Sequence, residues 1–223
     1  MFVSRLSLLA PIGAVALLLW GCSQTPHFEA RHEPWREQEE RACLVSGQVR
    51  EQPWLMSRNA LGGPSVCGAL KPFEMLAVND GRVHMKPAAL VRCNMVPAVE
   101  RWVRGIVEPE ARRHYGMPVA ELKVASSYSC RPRNNQRGAK LSEHGHANAI
   151  DISSFTLTDG RIITVKQGWH GDGRDRSFLR SVHAGACREF TTILGPNADA
   201  FHHDHFHLDL ARHGRSGNEV ICR

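Results

Sequence analysis

Residues 142–155 read Ser-Glu-His-Gly-His-Ala-Asn-Ala-Ile-Asp-Ile-Ser-Ser-Phe and divide into two parts. The first half is polar and rich in histidine, which predicts a loop. From Ala149 to Phe155 the residues alternate, with Ile150 and Ile152 separated by polar neighbours. A period of two is typical of a strand, so we expect Asp151 to point from a strand that begins directly after the loop.

A second histidine-rich segment, 202–209, reads His-His-Asp-His-Phe-His-Leu-Asp. We expect a strand over 205–210, whose period of two places His205, His207 and Asp209 on one face. If this strand neighbours the first one, two histidines and a carboxylate meet at one point. Three protein ligands of these types, with a fourth position open to water, are typical of catalytic zinc.

The rest of the chain predicts helices between strands that tight turns connect. Asn79-Asp80-Gly81 separates two strand-like runs, Phe73–Val78 and Arg82–Val91, which is a good hairpin signal. A helix is expected from Asn94 to Gly116, disturbed at Pro109. The other expected elements are strands over 119–128 and 162–165 and a helix that opens at Asp175 or Ser177 and ends at Gly195-Pro196. This order predicts an α+β fold with an antiparallel sheet and flanking helices.

Composition excludes several classes of protein. The chain has 223 residues, of which 42% are hydrophobic and 22% charged, so it is neither disordered nor fibrous. A net charge of +6 suits an acidic polymer but falls short of the dense basic stripe of a nucleic-acid binder, so no nucleic-acid partner is expected. Nine of the 13 histidines lie between residues 144 and 213, which places the chemistry in that region.

The N-terminus has the features of an export signal. One cation, Arg5, precedes an apolar run over 6–20 that ends at Gly21 and Cys22. The sequence at this junction resembles a bacterial lipobox, which predicts a lipoprotein signal peptide over 1–21 and lipidation of Cys22. An ordinary cleaved signal or an uncleaved anchor is the alternative. All three place the protein outside the cytoplasm, and we expect a periplasmic protein anchored to a bacterial membrane, the outer membrane before the inner.

The mature chain is expected to contain a tether and one disulfide-stapled domain. Residues 22–41 are polar and lack an apolar period, which predicts a tether that becomes helical near its end, and 42–223 form the domain. Without Cys22 an even number of cysteines remains, and an oxidising periplasm permits disulfides between them. The expected pairs are Cys67–Cys93 at the ends of the hairpin, Cys130–Cys187, and Cys43–Cys222.

Taken together, the two histidine segments resemble the LAS zinc metallopeptidases, named for lysostaphin, D-alanyl-D-alanine carboxypeptidases and the hedgehog N-terminal domain. They resemble the bacterial extensin-like C-terminal domain family more closely. The pattern of the group is Ser-x-His-x(6)-Asp followed by His-x-His, and it is matched by Ser142, His144 and Asp151 and then by His205 and His207. The group often has glycine where this chain has alanine, three residues after the first histidine.

The resemblance implies a role for each matching residue. The implied zinc ligands are His144, Asp151 and His207, the implied general base is His205, and the implied stabilising side chains are His202 and Arg131. A neutral imidazole suits the role of base because it titrates near neutral pH. Glu143 is an alternative base, Asp209 is a partner that orients a histidine, and Asp204 either has the same role or lies on the surface. His146 and His203 are expected to lie outside the ligand set, and Trp169 is a candidate for the cleft rim.

The resemblance also implies an activity and a substrate. It indicates a zinc-dependent peptidoglycan hydrolase, first a D,D-endopeptidase that cleaves D-alanyl peptide cross-links and second a D,D-carboxypeptidase. A zinc-containing wall-binding module without turnover is the alternative from a different class. The expected partner is a peptidoglycan peptide, and the oligomeric state does not follow from the sequence.

Overall fold

A nine-stranded sheet organises residues 27–223, the part of the chain that the computed structural model describes. The predicted signal peptide over 1–21 and the predicted lipidation site Cys22 lie outside these residues. The strands are β1 (Leu55–Ser57), β2 (Leu61–Gly62), β3 (Gly68–Ala69), β4 (Phe73–Val78), β5 (Val83–Val91), β6 (Val119–Ser126), β7 (Ala149–Leu157), β8 (Ile162–Thr164), β9 (Thr192–Leu194), β10 (Phe206–Asp209) and β11 (Ile221–Cys222).

The helices within 27–223 are α1 (Pro34–Ser46), α2 (Met95–Trp102), α3 (Glu108–Tyr115), α4 (Val165–Gly168) and α5 (Gly173–Ala186). A π-helical turn over Val103–Val107 joins α2 to α3, and 3-10 turns occupy Arg133–Asn135 and Glu143–His146. None of these helices is both long and apolar enough to cross a membrane.

The main sheet has the spatial order β1-β4-β5-β6-β7-β10-β9-β11, with β8 beside β7, while β2 and β3 pair separately. This confirms the α+β class. The sheet is mixed rather than antiparallel, because β5 pairs with β6, and β9 with β11, in parallel. The helical crossover from β5 through α2 and α3 explains the first parallel pair, since a crossover returns the chain in the same direction.

One face of the sheet is buried under α2, α3 and α5. Trp102 from α2 and Phe178 from α5 both pack edge-on against Phe155 of β7, and the indole nitrogen of Trp102 donates to the Val182 carbonyl at 3.0 Å. Phe206 of β10 joins the same aromatic cluster. The helical layer therefore covers the face that carries the apolar residues of β7 and β10, and the opposite face is left for the polar ones.

The predicted helix from Asn94 to Gly116 is present, interrupted by the π-turn. Pro109 cannot donate a backbone hydrogen bond, and the helix widens just before it. Gly116 ends the helix with a φ of 73°. The later helix is shorter than predicted: Asp172 caps α5, which ends at Ala186, and the apolar residues near 193 form β9 instead.

Three disulfides are present, as predicted, but the predicted pairs are wrong. The bonds join Cys43 to Cys93, Cys67 to Cys130, and Cys187 to Cys222. Cys93 is fully buried and faces α1, whose packing the polar sequence did not indicate. The boundary predicted between tether and domain at residue 41 falls inside α1, whose residues Glu40 and Cys43 are buried.

Candidate metal centre

The register between β7 and β10 creates the centre of the site. His207 pairs directly with Asp151, and Phe206 pairs with Ile152. Because side chains alternate along a strand, the apolar pair lies on the core face and the polar pair on the other. Both members of the polar pair are buried, at 8% and 3% exposure. His207 Nδ1 lies 2.9 Å from Asp151 Oδ1.

The third residue comes from the loop before β7. His144 lies in the 3-10 turn Glu143–His146. Ser142 caps this turn, and its hydroxyl accepts from the His144 backbone N–H. Ala147 ends the turn in the left-handed region, with a φ of 52°. Glycine adopts this conformation without strain, which explains why the LAS metallopeptidases often have glycine at this position. The alanine keeps the same turn.

These elements bring three potential ligand atoms together. His144 Nε2 lies 3.1 Å from Asp151 Oδ2 and 3.2 Å from His207 Nδ1. One atom from each of the three residues lies within 4.8 Å of the others. This is the ligand set that the resemblance implies, and its two nitrogens and one oxygen are donors that suit zinc.

Hydrogen bonds outside the cluster select the ring nitrogens that face it. His144 Nδ1 lies 2.6 Å from the Ser127 carbonyl oxygen, which only accepts, so Nδ1 carries the proton. His207 Nε2 lies 2.9 Å from Asp209 Oδ2 and donates to that carboxylate. His144 Nε2 and His207 Nδ1 therefore remain to bind a metal, an arrangement common among metal-binding histidines.

The electrostatics of the cluster favour a positive charge. Burial alone would raise the pKa of Asp151, but the neighbouring His144 and His207 hold it well below its usual range. Burial alone would lower the pKa of His207, but hydrogen bonds to Asp151 and Asp209 raise it to about 10. Two buried carboxylates thus stabilise a cation at this point, either a proton or a metal ion.

Two further predicted histidines lie beside the cluster. His205 precedes β10, and its Nε2 lies 3.8 Å from Asp151 Oδ1 while its Nδ1 lies 2.9 Å from Asp204 Oδ1. His202 Nδ1 lies 2.7 Å from Asp199 Oδ1. The ring of His202 is 5.3 Å from that of His205, centre to centre. Each carboxylate accepts from Nδ1 of its histidine and so fixes the direction of the ring.

Arg131 completes the predicted set. Its Nη2 lies 3.8 Å from Asp151 Oδ2, and 23% of its side chain is exposed, so the guanidinium can reach both the cluster and a bound molecule. It follows Cys130, whose disulfide to Cys67 attaches this segment to the body of the domain. The structure therefore brings all six predicted site residues together.

These six residues line a cleft of about 390 Å³. Residues that sequence analysis did not assign to the cleft include Asn134, Asn135, Thr192, Phe201 and Ile221. The two asparagines are consecutive and both have a φ of 55°, an uncommon conformation outside glycine. Asp199, the partner of His202, was also missed, because a single aspartate in a polar loop carries no distinctive sequence signal.

The comparison with protein families agrees with the sequence motifs. The protein family described as "Extensin-like protein C-terminus" matches residues 41–223. The chain belongs to this extensin-like family.

Other comparisons add little to this assignment. The extensin-like chain is 26% identical over 102 residues to ribosomal RNA large subunit methyltransferase H of three strains of Xanthomonas campestris pv. campestris. The similarity covers 40% of this chain and 65% of those relatives, so the chain spans less than two thirds of their length. At this identity and coverage it shows neither a shared family nor a shared activity. No solved structure matches the chain.

Two other candidate residues of the extensin-like domain, Glu143 and Trp169, have structural rather than catalytic surroundings. Glu143, the alternative base, binds Arg36 through both carboxylate oxygens and also accepts from Asn148. Burial would raise its pKa, but Arg36 and Asn148 lower it to about 2, which makes it a poor base. Trp169 is 3% exposed and packs against Phe206, so it belongs to the core rather than the cleft rim.

Proposed function

We propose that this extensin-like protein is a zinc-dependent peptidoglycan hydrolase of the LAS type, a D,D-endopeptidase that cleaves D-alanyl peptide cross-links. The observation that carries the proposal is the His144-Asp151-His207 cluster, whose ligand atoms lie within 4.8 Å of one another at the cleft. The sequence patterns Ser-x-His-x(6)-Asp and His-x-His provide the link to LAS peptidases.

The residues of the cluster would bind the metal through His144 Nε2, His207 Nδ1 and one oxygen of Asp151. Three protein ligands are usual for catalytic zinc, whereas structural zinc sites have four. When bound, zinc would supply a Lewis acid that polarises the scissile carbonyl and lowers the pKa of water. The surrounding side chains would perform the remaining steps.

His205 would act as the general base. Asp204 accepts from its Nδ1, so the neutral ring presents Nε2 as an acceptor beside the cluster. His205 Nε2 would take a proton from the attacking water, whose oxygen bonds to the D-alanyl carbonyl carbon, and return it to the amine nitrogen of the acceptor peptide as the C–N bond breaks. The proton taken in the first step thus leaves with the product, and the histidine is regenerated.

Arg131 and His202 would stabilise the negative charge that develops on the carbonyl oxygen. Arg131 carries five N–H donors and is always protonated. Asp199 accepts from His202 Nδ1, so His202 would donate from Nε2 in its protonated form. Donors placed where charge develops are among the largest contributions to catalysis, so both side chains suit a stabilising role.

The cysteines support an extracytoplasmic location. All six cysteines within 27–223 form disulfides, which is usual in oxidising compartments and rare in the cytoplasm. A periplasmic protein with a lipid on Cys22 would act on wall polymer near a membrane. Mass spectrometry of the mature N-terminus tests this, and an unmodified terminus at another residue would refute the lipid anchor.

Chromatography of purified sacculi digested with the zinc-loaded protein tests the proposed activity. An endopeptidase converts cross-linked muropeptide dimers into monomers without releasing free D-alanine from uncross-linked stems. A carboxypeptidase shortens pentapeptide stems and releases D-alanine. A protein that binds sacculi and zinc but leaves every muropeptide unchanged is a binding module. His144→Ala is the control, since it removes a ligand from the cluster.

A further inference from the structure

The segment that precedes the family-matched region packs against the proposed metal site. Residues 27–46, which include α1, are here called the N-terminal strap. Most of the strap precedes residue 41, where the family match begins. It contacts the chain on either side of the metal cleft: two contacts involve backbone or buried groups, and the third involves partly exposed side chains.

The first contact attaches the strap to the loop that precedes the metal motif. The Glu29 N–H donates to the Ala139 carbonyl at 2.9 Å, and the Leu141 N–H donates to the Glu29 carbonyl at 2.8 Å. The Gly138 N–H donates to the His27 carbonyl at 2.8 Å. These bonds end one residue before Ser142, which begins the turn that carries His144.

The second contact reaches the residue next to the metal ligand. Arg36 Nη1 and Nη2 donate to the two oxygens of Glu143 at 2.6 and 2.7 Å. The side chains are 11% and 4% exposed, so the pair is almost completely buried. Asn148, at the end of the same loop, donates to Glu143 at 2.7 Å. A bidentate pair of this kind fixes both the distance between the guanidinium and the carboxylate and their relative orientation.

A third contact reaches the other wall of the cleft. The guanidinium groups of Arg36 and Arg212 each stack on the ring of Trp35, at 4.4 and 4.5 Å. Glu39 also binds Arg212. Arg212 directly precedes His213, which lines the cleft. The strap thus connects the loop before β7 with the segment after β10.

We propose that the N-terminal strap positions the metal-ligand loop, with Arg36 and Glu143 as the residues that orient His144. This inference rests on the proposed zinc site. Asp151 and His207 are fixed by strand pairing, whereas His144 lies outside the sheet on a short 3-10 turn, whose first residue is Glu143. Removing Arg36 would leave a buried carboxylate without its cation one residue from His144. The loop would move to hydrate Glu143 and would displace the ligand.

The test compares Arg36→Gln with Arg112→Gln in the full chain. Arg112 also pairs with a buried glutamate, Glu108, at 2.8 Å, but the pair lies on α3, which does not line the cleft. Zinc affinity is measured by competition with a chelator, and ligand geometry by the absorption spectrum of the cobalt-substituted protein. For Arg36→Gln we expect about tenfold weaker zinc binding and an altered cobalt spectrum. Arg112→Gln should match the wild type, and Arg36→Lys should restore part of the affinity.

Hydrogen exchange of the metal-free protein gives a second readout. Residues 143–147 should exchange faster in Arg36→Gln than in Arg112→Gln. If Arg36→Gln does not fold, Arg36→Gln combined with Glu143→Gln removes both buried charges, and this protein should fold yet bind zinc more weakly than the wild type. Wild-type affinity and cobalt spectrum in the folded variant would overturn the inference. A wild-type protein that binds no zinc would instead refute the proposed function.

Discussion

Asp151 and His207 lie directly opposite each other on neighbouring antiparallel strands, with 2.9 Å between Asp151 Oδ1 and His207 Nδ1. Two of the three proposed ligands are therefore fixed by the register of the sheet. A slip of β10 by one residue would turn His207 into the aromatic core and Phe206 out of it. The sheet and its core thus position two of the ligands, whereas the third, His144, depends on a loop.

The two histidines of His-x-His should have different roles. His207 Nδ1 belongs to the cluster, whereas His205 Nε2 lies beside it, 3.8 Å from Asp151. We expect His207→Ala to be metal-poor and inactive. His205→Ala should bind zinc normally and cleave cross-linked muropeptides roughly 10² to 10⁴ times more slowly, the usual cost of losing a positioned base. Zinc content and turnover are measured on the same preparations, and exchanged phenotypes would mean that the roles are exchanged.

Substitutions of the two aspartates that each bind a histidine should have different effects. Asp209 accepts from His207 Nε2 and Asp204 from His205 Nδ1. Asp209→Asn should weaken zinc binding by about tenfold or more, because the carboxylate orients a ligand and raises its basicity. Asp204→Asn should keep zinc affinity and lower turnover. The two variants are matched in chemistry, so equal zinc affinities in both would contradict the assignment of His207 as the ligand.

Zinc binding should release a proton. The pKa of His207 is raised to about 10, because its hydrogen bonds to two carboxylates outweigh the effect of burial, so the metal-free protein holds this proton at pH 7. Nδ1 must lose the proton before it binds zinc. Zinc affinity should therefore rise with pH through the neutral range, by about tenfold per unit for one displaced proton. Calorimetry in buffers of different ionisation enthalpy counts the protons, and binding without release would contradict the prediction.

The disulfide connectivity can be checked directly. Mass spectrometry of a non-reducing digest should find Cys43 linked to Cys93, Cys67 to Cys130, and Cys187 to Cys222. Replacing both Cys67 and Cys130 by alanine should lower the free energy of unfolding by about 2 to 4 kcal/mol, because the bond closes a long loop. Chemical denaturation measures this loss. Peptides that link Cys67 to Cys93 would contradict the structure.

Short-range sequence patterns predicted the two strands that carry Asp151 and His207, but they did not predict the long-range packing. The alternation around Asp151 and His207 sets which face each side chain occupies, so the two strands of the centre could be identified from residue spacing. The parallel pairing of β5 with β6 could not, because strand direction depends on how the crossover through α2 and α3 packs. The disulfides depend on the same long-range packing.

The strap was missed for a different physical reason. Its residues are mostly polar and charged and show no apolar period, so the sequence indicates a solvated tether. Its attachment depends on buried ion pairs such as Arg36 with Glu143, whose members are 107 positions apart. Charged residues carry no signal of burial until their partners are known, and only the fold brings these partners together.

The most direct test of the zinc-dependent activity is a titration of the metal-free protein with zinc during digestion of purified sacculi. Release of monomeric muropeptides from cross-linked dimers should rise in proportion to added zinc and level off at one zinc per chain, while His144→Ala should release none. Full release by the metal-free protein, or one zinc bound per chain with the dimers left intact, would contradict this prediction.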